Sequence, residues 1–261
     1  MSSQYLYLTV KEITLETEDT KTIHFWHPIH AALNYKSGQF LTVIPEIKGQ
    51  KYRRSYSFSS SPKTDNSPAI TVKRIAGGLV SNFLCDELKV GDSLEVMEAM
   101  GNFYIEPNSE SSNNYVFVGA GSGITPLMSM IKTLLKSEPK SNIHLIYGSR
   151  NENQIIFKSV LEQLERENPE RLKVLHIISQ PSANWPGLKG RINQASIVYY
   201  LKQELGINIP EAIYYLCGPE GMMNEVQSSL GMFDVPKEQI HKEYLFQCHR
   251  SKWKKRKRME A

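Results

Sequence analysis

Two glycine-rich stretches in the second half of the chain have the composition of a phosphate cradle. Gly119-Ala120-Gly121-Ser122-Gly123-Ile124-Thr125-Pro126 leaves an apolar run and enters a stretch with helical spacing. Glycines there let the backbone approach a phosphate, and a helix start supplies free N–H groups and the positive end of its dipole. Pro126 fits a first helical turn, where its missing N–H costs nothing. Ile124 stands where the third glycine of a G-x-G-x-x-G fingerprint belongs, so the stretch alone reads either as a phosphate loop or as a tight strand-to-helix turn. Cys217-Gly218-Pro219-Glu220-Gly221-Met222-Met223 again closes an apolar run and opens a helical one. Ligands of open α/β sheets bind outside the carboxyl ends of strands, so the two loops form one candidate crevice. Cys217 by itself reads as a buried structural thiol, because no His or Asp stands near it in sequence to activate it.

The first half offers two weaker signals. Arg54-Ser55-Tyr56-Ser57 alternates a cation, a hydroxyl and an aromatic ring. In a strand Arg54 and Tyr56 share one face and Ser55 and Ser57 the other. An arginine with a nearby hydroxyl suits a phosphate and a tyrosine can stack on a flat ring, although a solvated barrel face would look the same. Further on, Gly77-Gly78-Leu79-Val80-Ser81-Asn82-Phe83-Leu84 again places glycines before a helix start. It reads as an anion-receptive turn or as a simple helix capped by Ser81.

The elements that must position these residues fall into two kinds. Residues 5–10, 22–26, 39–44, 55–58, 69–73 and 93–97 are short runs rich in aromatic and β-branched side chains, separated by turn residues, with one helical stretch at 80–88. That spacing predicts a small antiparallel barrel. From Tyr115 the rhythm changes: strand-like runs at 115–118, 143–147, 172–178 and 212–217 alternate with helical runs at 126–136, 156–167, 192–205 and 221–232. This predicts βαβ units on a mostly parallel sheet. The Ser/Asn-rich segment 109–114 is the natural linker.

Composition narrows the class. Of 31 Lys and Arg, seven lie within 250–258, and Glu260 is the only acid after residue 249. Residues 1–249 therefore hold 24 basic and 26 acidic side chains, a net of −2, which argues against a nucleic-acid-binding body. No apolar run reaches the length of a membrane span, and no secretory signal is visible. Cys85, Cys217 and Cys248 are too few and too scattered for a disulfide framework or a metal site, which points to a reducing, cytoplasmic setting.

In order and spacing, Arg-x-Tyr-Ser, Gly-Gly-Leu-Val-Ser-Asn-Phe-Leu, Gly-x-Gly-x-Gly-Ile-Thr-Pro and Cys-Gly-Pro-x-x-Met-Met resemble the ferredoxin-NADP reductase superfamily. The chain looks most like reductase components of bacterial oxygenases and of phenylacetate-degradation systems, over residues 5–246. The resemblance implies an FAD-binding barrel of Greek-key type at 1–108, a linker at 109–114, an NAD(P)-binding α/β domain at 115–246 and a basic tail at 247–261. It implies that Arg54 and Ser57 bind the flavin phosphates and ring edge and that Tyr56 stacks on the ring. Val72 and Lys73 would line the flavin site, and Gly78, Leu79, Val80 and Ser81 would bind the FAD pyrophosphate. Gly121 and Thr125 match the pyridine-nucleotide loop, and Cys217, Gly218 and Pro219 the loop beside the nicotinamide, with Glu243 a nearby carboxylate. Ser149, Arg150 and Arg191 fall where the adenosine half of NAD(P)H lies. Tyr56, Ser57, Cys217 and Glu243 are thus the expected catalytic group.

The implied reaction passes hydride from NAD(P)H to FAD and electrons onward to a ferredoxin, a flavodoxin or an oxygenase component. Relatives that carry their own [2Fe–2S] domain need four clustered cysteines, and here the sequence ends sixteen residues after Leu245 with Cys248 alone. The expectation is a separate electron carrier, or a truncated form of a longer chain. Leu245, between Tyr244 and Phe246, occupies the place of a terminal aromatic. Ser179-Gln180 stands where NADP-specific relatives often show Ser-Arg, which leaves the coenzyme open between NADH and NADPH. The tail reads as solvated chain or as a docking segment for an acidic carrier. Competing readings are a free-flavin reductase, a non-catalytic nucleotide-binding redox sensor, and a protein whose tail contacts nucleic acid or anionic lipid.

Overall fold

The computed structural model describes residues 5–27 and 33–245, so Phe246, Cys248 and the basic tail lie outside the described residues. The first half builds β1 (Tyr5–Thr17), β2 (Thr20–Phe25), β3 (Phe40–Val43), a small hairpin of β4 (Glu46–Ile47) and β5 (Gln50–Lys51), β6 (Arg54–Ser57), β7 (Ala69–Lys73), α1 (Leu79–Asp86) and β8 (Ser93–Met97). Its main sheet runs β6-β3-β8-β1-β2-β7, with antiparallel pairing throughout. An isolated bridge between Phe58 and Ile70 joins the outer strands and closes the sheet into a barrel. Consecutive strands β2 and β3 are not neighbours, nor are β7 and β8, and such crossovers are of the Greek-key kind.

β1 is twice as long as its aromatic start predicts. Residues 5–9 pair with β8 and residues 10–17 pair with β2, and register shifts after Val10 and Leu15 bend the strand from one partner to the other. The inward side chains Leu8, Val10, Ile23, Phe25, Leu41, Val43, Ile70, Val72 and Val96 are fully buried, and Leu84 of α1 plugs the same core.

The second half contains β9 (Asn114–Ala120), α2 (Ile124–Ser137), β10 (Asn142–Ser149), α3 (Lys158–Glu167), β11 (Leu172–Ile178), β12 (Leu188–Lys189), α4 (Gln194–Tyr199), β13 (Ile213–Cys217), α5 (Glu220–Gly231) and β14 (Ile240–Glu243). The sheet order is β12-β11-β10-β9-β13-β14, all parallel. Both faces are covered, with separate cores around α2 and α3 on one side and α4 and α5 on the other. Among the described residues, no helix is long and apolar enough to cross a membrane.

Three local features depart from the expectation. The helix at 192–205 is capped by an Asn193–Ser196 capping box but passes after Tyr199 into a π-helical turn, Tyr200–Glu204. The helix at 156–167 begins two residues late, because Phe157 adopts φ 61° before it. Strand β14 has a polar sequence, Ile-His-Lys-Glu, and sits at the sheet edge.

Candidate functional site

β9 is the point from which the parallel sheet extends in both directions: the chain goes on to β10, β11 and β12 on one side and returns to β13 and β14 on the other. A ligand crevice is expected outside the carboxyl ends of strands at such a switch. Both glycine loops are there. Gly121–Gly123 forms a 3₁₀ turn that runs directly into α2, with Gly121 at φ +55° and nothing within 4 Å of the place a Cβ would occupy. The leading amides of this turn have no carbonyl behind them to bond. The Tyr147 hydroxyl donates to the Gly121 carbonyl at 2.9 Å and fixes the loop from beneath.

Gly123, a position the G-x-G-x-x-G fingerprint leaves unspecified, is tightly constrained. A Cβ on it would overlap the Cys217 carbonyl oxygen and lie 2.5 Å from the Cys217 carbonyl carbon and 3.0 Å from the Gly218 nitrogen. The two loops therefore touch backbone to backbone. Gly218 is constrained in return, its Cβ position lying 3.1 Å from the Ala120 nitrogen. Thr125 is buried, and its hydroxyl donates to the Ser122 carbonyl at 3.0 Å, so its side chain braces the loop from within.

Cys217 ends β13 between Gly119 of β9 and Glu243 of β14. Its thiol is fully buried, and desolvation, reinforced by the Glu243 charge, pushes its pKa up. Burial also raises the Glu243 carboxyl above the usual carboxylate range. Pro219 caps α5 without a side-chain bond, which leaves that helix start open. On the other side of β9, the Ser149 hydroxyl is buried at the end of β10 and meets no partner at hydrogen-bonding geometry. The Arg150 carbonyl accepts from the Gln180 amide at 2.7 Å, which ties the two strand ends together, and the side chains of Arg150 and Arg191 are exposed.

On the barrel, β6 carries Arg54 exposed, Tyr56 half-buried and Ser57 buried. The Arg54 guanidinium donates to the neighbouring Arg53 carbonyl at 2.7 Å. Tyr56 packs against the barrel core, and burial pushes its hydroxyl up to about 12. The helix start at α1 differs from a serine cap: Gly78 takes the N-cap position with no side-chain bond, while the Ser81 hydroxyl accepts from the Ile75 amide at 3.1 Å. The first-turn amides of Leu79, Val80 and Ser81 thus keep no partner from a capping side chain. Behind them the Asn82 Oδ1 atom is buried and unpartnered. Val72 is fully buried, so only its backbone can line a site, and Lys73 is paired with Asp19 at 3.5 Å. Open helix starts and glycines with free space above them fit two phosphate-bearing cofactors, one on the barrel and one on the sheet.

Helix α2 joins the two sites. Its start is the glycine loop, and its middle lies against the barrel through Ser129, Lys132 and Thr133. The signal for these is present in the sequence as polar residues at helical spacing in an otherwise apolar helix, Thr125, Ser129, Lys132 and Thr133.

Comparison with known proteins is consistent with this geometry. Residues 7–105 match the oxidoreductase FAD-binding domain and residues 117–228 the oxidoreductase NAD-binding domain. The chain is 34% identical over 242 residues to one component of the 1,2-phenylacetyl-CoA epoxidase of Escherichia coli, covering 90% of this chain and 66% of that protein. It is 35% identical over 246 residues to the ferredoxin reductase component of 3-ketosteroid-9-alpha-monooxygenase of Rhodococcus rhodochrous, covering 92% and 65%. It thus spans just under two thirds of the length of these relatives. The crystal structure of the FAD/NAD-binding domain of nitric oxide dioxygenase from Vibrio cholerae superposes with a TM-score of 0.78 at 28% identity, covering 91% of this chain and 97% of that one.

Proposed function

This chain belongs to the oxidoreductases that join an FAD-binding to an NAD-binding domain in a ferredoxin reductase-like fold, and on that premise we propose that it is an NAD(P)H-dependent reductase supplying a separate electron carrier. The bound cofactors would supply hydride transfer from nicotinamide to flavin and onward release of electrons to an iron–sulfur or flavin protein or an oxygenase component. The observation that carries the reading is the backbone contact between Gly123 and Cys217, which makes one crevice of two helix-start loops at the start of α2, the helix whose middle meets the barrel.

The chain's own residues have separable tasks. Leu79, Val80 and Ser81 present amides to the FAD pyrophosphate, with Gly78 as the cap of that helix start and Arg54 adding charge. Tyr56 offers a ring face and Ser57 a hydroxyl to the flavin. Gly121, Ser122 and Gly123 present amides to the coenzyme diphosphate, with Gly218 and Pro219 on the nicotinamide side. Ser149, Arg150 and Arg191 are suited to the adenosine half. Glu243, with its raised pKa, can hold a proton at its carboxylate near Cys217, whereas the neutral Cys217 thiol orients and fills space. A cytoplasmic setting agrees with Cys85 and Cys217 being free, buried thiols.

Purified protein should be yellow, and its flavin absorbance should bleach anaerobically on adding NADH or NADPH. Ferredoxin or flavodoxin should then reoxidise it faster than free flavin does. A protein that takes up no FAD, or whose flavin neither coenzyme reduces, sinks the proposal. Preferential turnover of free flavin would replace the carrier with a diffusing substrate.

A further inference from the structure

Three hydroxyl groups meet in a buried knot where α2 crosses the barrel. The Thr133 hydroxyl shares hydrogen bonds with Ser37, which precedes β3, and, at 2.7 Å, with Ser61, which follows β6. Thr133, Ser37 and Ser61 are each at most 2% exposed. One turn earlier the buried Ser129 hydroxyl donates to the Ser60 carbonyl at 2.6 Å. At the rim Lys132 Nζ reaches both carboxylate oxygens of Asp65 at 3.1 and 3.2 Å, and Asp65 also accepts from the Ser61 amide at 2.7 Å. On the neighbouring flank, a Cβ on Gly38 would overlap the Met130 side chain and lie 2.5 Å from the Phe103 carbonyl, so backbone and helix are in direct contact there too.

A buried interface can be made tight with apolar groups alone, which slide past one another at little cost. Hydroxyl pairs cannot slide: a small shift leaves each buried donor unsatisfied, at about 1–3 kcal/mol per group. This seam therefore fixes register as well as contact. What it fixes lies at its two ends. Ser60 and Ser61 are three and four residues beyond Ser57, on the segment leaving β6. Ser129 and Thr133 are one and two helical repeats beyond Thr125, on the helix that opens with the glycine loop.

We propose that Ser129 and Thr133 are positioning residues for hydride transfer, holding the coenzyme loop at the start of α2 in fixed register with the flavin-facing strand β6. The inference rests on the reductase reading above. Alignment of reacting atoms is worth orders of magnitude in rate, and a misplacement of about 1 Å can cost about a hundredfold. The seam should govern the reduction rate and leave cofactor affinity alone, because neither hydroxyl lies in either phosphate cradle.

The test is anaerobic stopped-flow reduction of the FAD-loaded protein by saturating NADH and NADPH and by their 4-deuterated forms, in wild type, Thr133→Val and Thr133→Ser. Thr133→Val should retain FAD and bind coenzyme within about twofold of wild type, yet be reduced about tenfold more slowly with a larger deuterium isotope effect. Thr133→Ser should restore both. Independently of activity, amide hydrogen exchange in residues 60–65 should quicken in Thr133→Val without coenzyme. Wild-type rate and isotope effect in Thr133→Val would overturn the proposal. So would a coenzyme affinity that falls in step with the rate, or slow reduction that Thr133→Ser leaves unrepaired. If Thr133→Val does not fold, Ser129→Ala carries the same expectations and the same overturning results. A wild-type protein that neither coenzyme reduces overturns the reductase reading and this inference with it. A wild type reduced normally alongside variants reduced equally fast overturns the seam alone.

Discussion

The α-carbon of Gly123 faces the carbonyl of Cys217 so closely that no side chain fits between them. Gly123→Ala must push the glycine loop and the Cys217-Gly218 loop apart. Overpacking of this kind costs about 1–3 kcal/mol. The expected result is a lower unfolding midpoint and coenzyme binding weakened about tenfold or more, with FAD content unchanged because the barrel is built separately. Denaturant unfolding, coenzyme titration and flavin absorbance check the three parts. Undiminished coenzyme binding in a folded Gly123→Ala protein would contradict the contact.

On the barrel, Arg54 has an exposed side chain whose only hydrogen bond among the described residues is to the carbonyl of the residue before it. Arg54→Ala should leave the apoprotein's stability within about 0.5 kcal/mol of wild type, as for surface changes generally. If Arg54 binds a flavin phosphate, FAD should dissociate about tenfold more readily, the loss expected for one charge-assisted bond of about 1.5 kcal/mol. Flavin release measured by fluorescence decides it, and unchanged release removes Arg54 from the site.

The far end of α2 is held by a single guanidinium. Arg171 donates to the carbonyls of Leu135 at 3.1 Å, Ser141 at 3.1 Å and Glu138 at 2.6 Å, thereby satisfying acceptors that a helix end leaves open. Arg171→Lys cannot reproduce this fork, and Arg171→Ala removes it. Both should destabilise, the alanine variant by about 2–3 kcal/mol. A urea midpoint unmoved by either substitution would show that water replaces the fork without loss.

His144 is half-buried on β10, and its buried Nδ1 atom has no hydrogen-bond partner. Burial, aided by Lys173, lowers its pKa from 6.5 to about 4. The unfolded chain therefore binds a proton between these values that the folded chain refuses. Stability from this group is complete above pH 6.5 and declines as pH falls towards 4, by at most about 3 kcal/mol. Replacing His144 with Gln should flatten the loss of stability over that interval relative to wild type. Parallel pH curves for the two proteins would count against it.

The barrel, the parallel sheet and both cofactor loops are legible in the sequence because each depends on short-range pattern: period-two apolar runs, helical spacing and glycines before helix starts. What stays hidden depends on partners distant in the chain. Strand β14 is polar because it lies on an edge, so its sequence carries no apolar run. Nothing local says that Gly123 will meet Cys217, or that Ser81 will turn back to the Ile75 amide and leave Gly78 as the cap. Nothing local says that Lys73, expected to line the flavin site, will have Asp19 from the β1–β2 turn beside it. The hydroxyl stripe of α2 is visible as spacing, but its meaning needs Ser37, Ser60 and Ser61.

The sheet order also fixes when the crevice can exist during synthesis. β9 gains its first neighbour, β10, almost at once, but its other wall waits for β13, which emerges after α2, α3 and α4. A ribosome-bound chain that stops before Ile213 has a finished barrel and four of the six parallel strands, with the inner edge of β9 unpaired. Late closure of such long-range parallel pairing is intrinsically slow and leaves an adhesive strand edge exposed. The barrel, complete once β8 has emerged, could by then already hold its nucleotide.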